Sequence, residues 1–263
     1  MAPWRRYLVC LAIRGERRLV ADQRQGVTGK LRRVLNHFIG RAARESEFYE
    51  GKSYLDGYIA HTDWRVARDP QEAVGGMWDE IGSLQFDFLR RQGLAPHHRL
   101  LDLGCGTLRG GRHFICFLEP NNYWGIGISP ACIDAARELV IAEGLQEKSP
   151  TLILNESKNL KFLEFGEMTF DYILAQSVFT HLPSDMVREC IENVGKVMRD
   201  GTKFFFTYLA SERYEQRGLK AFSYPWTHFA KLASDCGFTA IEVSDDYPHP
   251  RNQKMGCITK PHP

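Results

Sequence analysis

Residues 99–111 read Arg99-Leu100-Leu101-Asp102-Leu103-Gly104-Cys105-Gly106-Thr107-Leu108-Arg109-Gly110-Gly111. A short apolar run, Arg99 to Leu103, enters a bend through Gly104-Cys105-Gly106, and Gly111 to Leu118 then reads as a helix. An apolar run that meets glycine this abruptly marks a strand buried on both faces. Glycines permit torsions and close backbone approaches that side chains forbid. The N–H groups opening the following helix offer donors to an anion. Asp102, just before the bend, disfavours a pyrophosphate there because like charges repel. It suits a ligand that carries a cationic amine beside a carboxylate.

The same alternation repeats downstream. Tyr123 to Ile128 (YWGIGI) reads as a second strand, and Ser129-Pro130 supply the N-cap and first-turn proline of a helix from Ala131 to Ala142. Thr151 to Leu154 and Phe170 to Ala175 (FDYILA) are a third and a fourth strand. Met186 to Met198 is an amphipathic helix ended by Asp200-Gly201, and Lys203 to Leu209 (KFFFTYL) is a fifth strand. Trp226 to Cys236 is a helix, Phe238 to Val243 a sixth strand and Lys254 to Thr259 a last one. Strands alternating with helices of this length predict an α/β fold, with a mostly parallel sheet covered on both faces. Ligands in such sheets sit beyond the carboxyl ends of the strands, where the strand order reverses.

Upstream, Met77 to Gln92 carries Ile81, Leu84 and Phe88 at helical spacing, and Gly93 stops that helix. Asp69-Pro70 marks a turn and Gly75-Gly76 a break. The chain thus reads as a basic leader or peripheral helix over 1–44, a helical cap over 45–95 and a ligand-binding domain over 96–263.

The 263 residues are 43% hydrophobic and 25% charged, near the globular average, which excludes a disordered, collagen-like or coiled-coil chain. No run approaches the roughly 18 apolar residues that span a bilayer. Seven cysteines, widely spaced and without a CxxC pair, argue against a disulfide framework or zinc ribbon and for a reducing, cytoplasmic compartment. No metal site is predicted. Residues 1–44 hold eleven Lys or Arg against two acids, whereas the whole chain carries only +2. Such a leader suits an organellar presequence, an arm on nucleic acid, a helix on an anionic membrane, or a solvated extension with no partner.

Leu101-Asp102-Leu103-Gly104-Cys105-Gly106-Thr107 closely resembles the first motif of the class I S-adenosylmethionine-dependent methyltransferases. Tyr123-Trp124-Gly125-Ile126-Gly127-Ile128-Ser129 resembles their second-strand motif, and Phe170 to Leu182 their fourth-strand segment. Met198-Arg199-Asp200-Gly201-Thr202 resembles the glycine turn before their fifth strand. The resemblance covers about residues 77–260. It implies a doubly wound, Rossmann-like sheet of seven strands, the last antiparallel, with S-adenosylmethionine along the strand ends. Two positions depart from the pattern. Leu108 stands where the family commonly has a third glycine. Gly127 stands where the second strand usually ends in an acid that accepts the ribose hydroxyls. Charge-assisted hydrogen bonds of that kind are worth about 1.5–3 kcal/mol, and Ser129 or a water is left to substitute.

On this reading Asp102, Gly104, Cys105, Gly106, Gly127, Ile128, Ser129, Asn155, Glu156 and Gln176 contact the cofactor. His181 and Tyr208 are the candidate catalytic residues, since an imidazole of near-neutral pKa can take a proton from a hydroxyl or amine. Each also has a plainer reading: packing or loop for His181, cross-strand packing for Tyr208, a solvated turn for Asn155 and Glu156. Residues 45–76, the segment after His181 and residues 208–226 are expected to form the acceptor pocket. Tyr54, Tyr58, Trp64, Tyr224 and Trp226 either line it or pack the cap onto the sheet.

The expected activity is methyl transfer to an oxygen or nitrogen of a small-molecule acceptor, for which in-line positioning supplies much of the acceleration. A methyltransferase-like binding protein without turnover, motivated by Gly127, and an RNA or protein methyltransferase using the basic arm are the alternatives. A Rossmann dehydrogenase would place GxGxxG after the first strand and an acid at the end of the second. GCGTLR and the missing acid set it aside.

Overall fold

The structure, a computed structural model, describes residues 44–260. The chain divides into two compact units, residues 1–50 and 51–263. Of the first, the described part is 44–50, with a helical stretch at 44–47. The basic leader of 1–44 lies, but for Arg44, outside the described residues.

The helices of the second unit are α1 (Tyr54–Val66), α2 (Pro70–Ala73), α3 (Trp78–Arg91), α4 (Gly111–Phe117), α5 (Pro130–Ala142), α6 (Ser184–Val194) and α7 (Trp226–Asp235). Its strands are β1 (Leu100–Leu103), β2 (Tyr123–Gly127), β3 (Thr151–Leu154), β4 (Phe170–Ala175), β5 (Met198–Ala210), β6 (Glu215–Arg217), β7 (Ala221–Tyr224), β8 (Thr239–Glu242) and β9 (Gln253–Thr259). The first five lie parallel in the order β3-β2-β1-β4-β5. Strand β9 runs antiparallel to β5 from Lys203–Thr259 to Leu209–Gln253, and β8 runs antiparallel to β9. These seven strands are the sheet the resemblance implies, with β9 as its reversed strand.

The strands alternate their side chains between two cores, which is why their sequences are apolar throughout. Leu101, Leu103, Ile173, Phe204 and Phe206 join Val187, Ile191, Phe229 and Leu232 of α6 and α7 on one face. Leu100, Tyr172, Leu174 and Phe205 join Phe88, Phe114, Ile133 and Val140 of α3, α4 and α5 on the other.

Three expectations are corrected. Among the described residues the sheet has nine strands, because a β6–β7 hairpin turns at Gly218 (φ +67°) and β7 extends the parallel sheet beside the end of β5. Strand β6 is polar and largely exposed, so no apolar alternation announces it. The helix predicted over 186–198 spans Ser184–Val194. Beyond it the Val197 carbonyl accepts from Phe170 N–H, and Met198 pairs with Phe170 on β4, so sheet pairing overrides the helical spacing. Asp69-Pro70 opens a helix: the Asp69 carboxylate accepts from the N–H groups of Gln71 and Glu72, and Pro70 takes the first turn of α2.

Candidate functional site

Strand order reverses between β1 and β4, and the glycine bend leaves β1 at that point. Gly104 (φ +76°) and Gly106 (φ +56°) both hold left-handed torsions. The N–H groups of Gly104 and Cys105 both donate to the Ile126 carbonyl, at 2.8 and 3.2 Å. A β-carbon on Gly104 would lie 2.5 Å from Val178 Cγ2, and one on Gly106 2.9 Å from Val74 Cγ1. Val178 reaches this position because Ser177 turns the chain after β4 with φ +59°, its N–H held by Thr207 Oγ1 at 2.7 Å. Leu108, at the third-glycine position, also takes a left-handed φ of +68°. That costs about 1–2 kcal/mol, and complete burial of its side chain beside α4 and α5 offsets it.

Asp102 is buried and accepts a 2.7 Å hydrogen bond from Tyr123 OH. Burial pushes its carboxyl up to about 6, against the opposing pull of that bond and of Arg109. Cys105 is buried alongside, its thiol held protonated by burial and by the Asp102 charge. The buried Arg109 donates from Nη1 to the carbonyls of Val74 and Gly76, each at 3.0 Å, and Thr107 Oγ1 donates to Pro70 O at 3.0 Å. The segment from α2 to Gly76 is thereby laced onto the glycine bend.

At the next strand ends, Ser129 Oγ caps α5 by accepting from Cys132 N–H at 3.1 Å. The same hydroxyl donates to Asp63 Oδ1 of α1 at 2.5 Å. Asn155 is buried after β3: its N–H donates to Gly127 O at 2.8 Å, and its side chain bridges Asn159 O and Ser157 Oγ at 2.7 Å each. Between these ends and α1 lies a cavity of about 360 Å³, within the range of small-ligand sites. Ile128, Leu154, Asn155 and Glu156 line one side, and Asp56, Ile59, Ala60 and Asp63 line the other.

Gln176 takes a different place. Buried at the end of β4, it accepts from Tyr247 OH at 2.6 Å, donates to Gln253 Oε1 at 3.2 Å and meets His249 Nε2 at 3.2 Å. Burial, reinforced by Arg109 and Arg251, pushes the His249 imidazole down to about 4. Below the unfolded pKa near 6.5, the unfolded chain therefore binds a proton that the folded chain refuses. This contribution is complete above that value and is lost as pH falls from about 6.5 toward 4. His249→Gln removes it, so the gap in thermal midpoint between wild type and variant should move against wild type from pH 7 to pH 5. A gap that does not change with pH refutes this.

The two candidate catalytic residues separate. The carbonyl of His181 accepts from Tyr54 OH, its Nδ1 lies 2.6 Å from Lys220 O, and its ring centre is 5.6 Å from that of Tyr58. The Lys220 carbonyl can only accept, so Nδ1 carries the proton and Nε2 is the basic nitrogen. Tyr208 lies in the aromatic core of the sheet. Its buried ring packs among Phe206, Trp226 and Phe229, and its hydroxyl donates to Glu242. Burial and the hydrogen bond to Glu242 push that hydroxyl well above the usual phenol range, so it stays protonated at neutral pH. Trp226 and Tyr224 share the same aromatic core. Among the described residues no group of three or more His, Cys, Asp or Glu is placed to hold a metal ion.

Asp56 and Asp63 were not among the predicted site residues. Their signal is present: Asp56, Ile59, Ala60 and Asp63 are spaced i, i+3, i+4, i+7, one face of a helix. The face mixes acids with small apolar residues, so no hydrophobic stripe marks it.

A glycine bend at the switch point of a parallel sheet, beside a cavity at the ends of β2 and β3, defines a nucleotide-type binding site of the Rossmann-like class. A methyltransferase-domain family matches residues 101–204. A magnesium protoporphyrin IX methyltransferase from Synechocystis, solved with bound S-adenosylmethionine, is 14% identical over 80% of this chain and 99% of its own, with a TM-score of 0.59. An S-adenosylmethionine-dependent methyltransferase from Leishmania major is 14% identical over 79% of this chain and 84% of its own, with a TM-score of 0.60. A glycopeptide N-methyltransferase complexed with sinefungin is 13% identical over 68% of this chain and 94% of its own, with a TM-score of 0.53. The chain thus carries a match to a methyltransferase domain over residues 101–204 and shares the fold of these S-adenosylmethionine-dependent methyltransferases.

The residues present fit the nucleoside end of that cofactor. Ile59, Ile128 and Leu154 supply apolar walls, and Asp63, Asn155 and Glu156 supply polar groups. A β-carbon on Gly127 would meet only Ile133, at 3.5 Å, so the end of β2 is uncrowded.

Proposed function

We propose that the protein methylates an oxygen or nitrogen of a small-molecule acceptor. The observation that carries this reading is the pairing of the β2–β3 cavity with a polar, aromatic cluster on α1 and the segments after β4 and β6. That cluster holds His181, Tyr58, His61 and Lys220, whose Nζ lies 3.3 Å from His61 Nδ1. Burial pushes the Tyr58 hydroxyl up to about 12, so it remains a hydrogen-bond donor at neutral pH. When bound, S-adenosylmethionine supplies a methyl group on a cationic sulfur, ready for in-line displacement. Ile128, Asn155 and Glu156 hold the nucleoside, and the bare backbone of Gly104 and Gly106 lets the amino-acid end run close. Asp102, raised by burial to about 6, is mostly ionised at neutral pH, and a cationic amine beside it favours that charge further. His181 takes the acceptor's proton at Nε2, and Tyr54 and Tyr58 position the acceptor.

The three-part division of the chain and a cytoplasmic location belong to this proposal. Six described cysteines, all unbridged, support a reducing compartment. Among the described residues no helix is long and apolar enough to cross a membrane. Contact of residues 1–44 with nucleic acid or an anionic membrane lies outside the described residues.

Saturating S-adenosylmethionine, near a hundred times its Kd, should stabilise the fold by about 2.7 kcal/mol, a rise of roughly 5–10 °C in Tm for a chain of this size. Incubation with pooled small metabolites should yield a product heavier by one methyl group in place of hydrogen. Thermal stabilisation without any methylated product would favour the binding-protein reading.

A further inference from the structure

We propose that Asp63 on helix α1 is the acceptor for the ribose hydroxyls of the bound nucleoside, taking over a task that β2 leaves undone at Gly127. The inference rests on the reading of the β2–β3 cavity as the cofactor's nucleoside pocket.

A ribose presents two adjacent O–H donors, and a carboxylate offers two acceptor oxygens in matching array. Among the polar groups lining the cavity, Asp56 already accepts from Lys158 Nζ and Ser53 Oγ, each at 2.6 Å. Both ends of the Asn155 amide are engaged within its own turn. Asp63 differs. Ser129 Oγ donates to its Oδ1, and Oδ2 takes no hydrogen bond from any described residue. That single bond ties the carboxylate to the residue two beyond Gly127, in a lining that has Ile128 and Pro130 on one side and α1 on the other.

Gly127 itself is not demanded by the fold. Its φ is not positive, and a β-carbon there would make only ordinary contact with Ile133. Most glycines of the bend are different: a side chain on Gly104, Gly106, Gly110 or Gly111 would collide with a neighbour. The end of β2 therefore has room for an acid that the chain does not place there, and α1 brings one to the same end of the strand. Cofactor binding then depends on α1 being docked. Through the Tyr54 hydrogen bond to the His181 carbonyl, the same helix reaches the acceptor side.

The test is calorimetric titration with S-adenosylhomocysteine and with its 2′-deoxy analogue. Asp63→Asn keeps an oxygen for Ser129 but loses the charge. It should weaken S-adenosylhomocysteine binding by about ten- to a hundredfold and narrow the preference for S-adenosylhomocysteine over the deoxy analogue. Adding Gly127→Asp to Asp63→Asn should recover most of the lost affinity and the preference. Asp63→Asn with wild-type affinity, or with weakened binding but an undiminished preference for the 2′-hydroxyl, overturns the role of Asp63 and leaves the cofactor reading intact. A wild-type protein that binds no S-adenosylhomocysteine overturns the cofactor reading and this inference with it.

Discussion

Gly104→Val abolishes the rise in thermal midpoint that S-adenosylmethionine gives the wild-type protein, and it lowers the midpoint of the free protein. Two costs combine. A valine at φ +76° pays about 1–2 kcal/mol for a left-handed torsion. Its β-carbon would sit 2.5 Å from Val178 Cγ2, and overpacking of that kind typically costs about 1–3 kcal/mol. Relief can come only by moving Val178, which Ser177 and Thr207 hold at the end of β4, or by moving the bend itself. Either movement disturbs the backbone along which the cofactor's amino-acid end runs. Scanning fluorimetry with and without ligand checks the result. A variant that folds and shows the full ligand-induced shift would sink the assignment of the bend to the cofactor.

Phe206→Ala should cost about 3–5 kcal/mol, a large fraction of the total stability of an ordinary domain. The ring is completely buried, with its centre 4.8 Å from that of Phe179 and 4.9 Å from that of Phe229. It also fills the space against Gly256, where a β-carbon would lie 2.5 Å from its Cζ. Phe206 pairs with Ala175 on β4 and with Gly256 on β9, so it underlies the strand end that carries Gln176 and Ser177. Urea unfolding is the measurement: the midpoint should fall with the slope unchanged. A loss below about 1 kcal/mol would mean that the aromatic core tolerates the void, and that the strand end is held some other way.

The glycine bend, the Ser129-Pro130 helix start and the first five strands were readable because each is a local statement. A run buried on both faces stays apolar, a cap needs a side-chain acceptor, and a left-handed torsion favours glycine. The ends of α6 and β5 were misplaced because Val197 and Met198 satisfy a helical period as well as a strand pairing, and only β4 chooses between them. Tyr208 is a catalytic candidate because it ends a central strand. Its ring direction and its bond to Glu242 depend on α7 and β8, which sequence order does not place. Gln176 likewise sits where a cofactor contact is expected, yet its amide is engaged by Tyr247, His249 and Gln253 from more than seventy residues away.

By itself, then, the amino-acid order determined the α/β alternation, the bend at positions 104–106 and the absence of an acid at the end of β2, since these are properties of neighbours along the chain. Tertiary structure alone decided which side chain meets that strand end. Asp63 and Ser129 are 66 residues apart, and no propensity or period spans such a distance. Their meeting follows from how α1 docks against the ends of β2 and β3, and docking is settled by the packed surface as a whole.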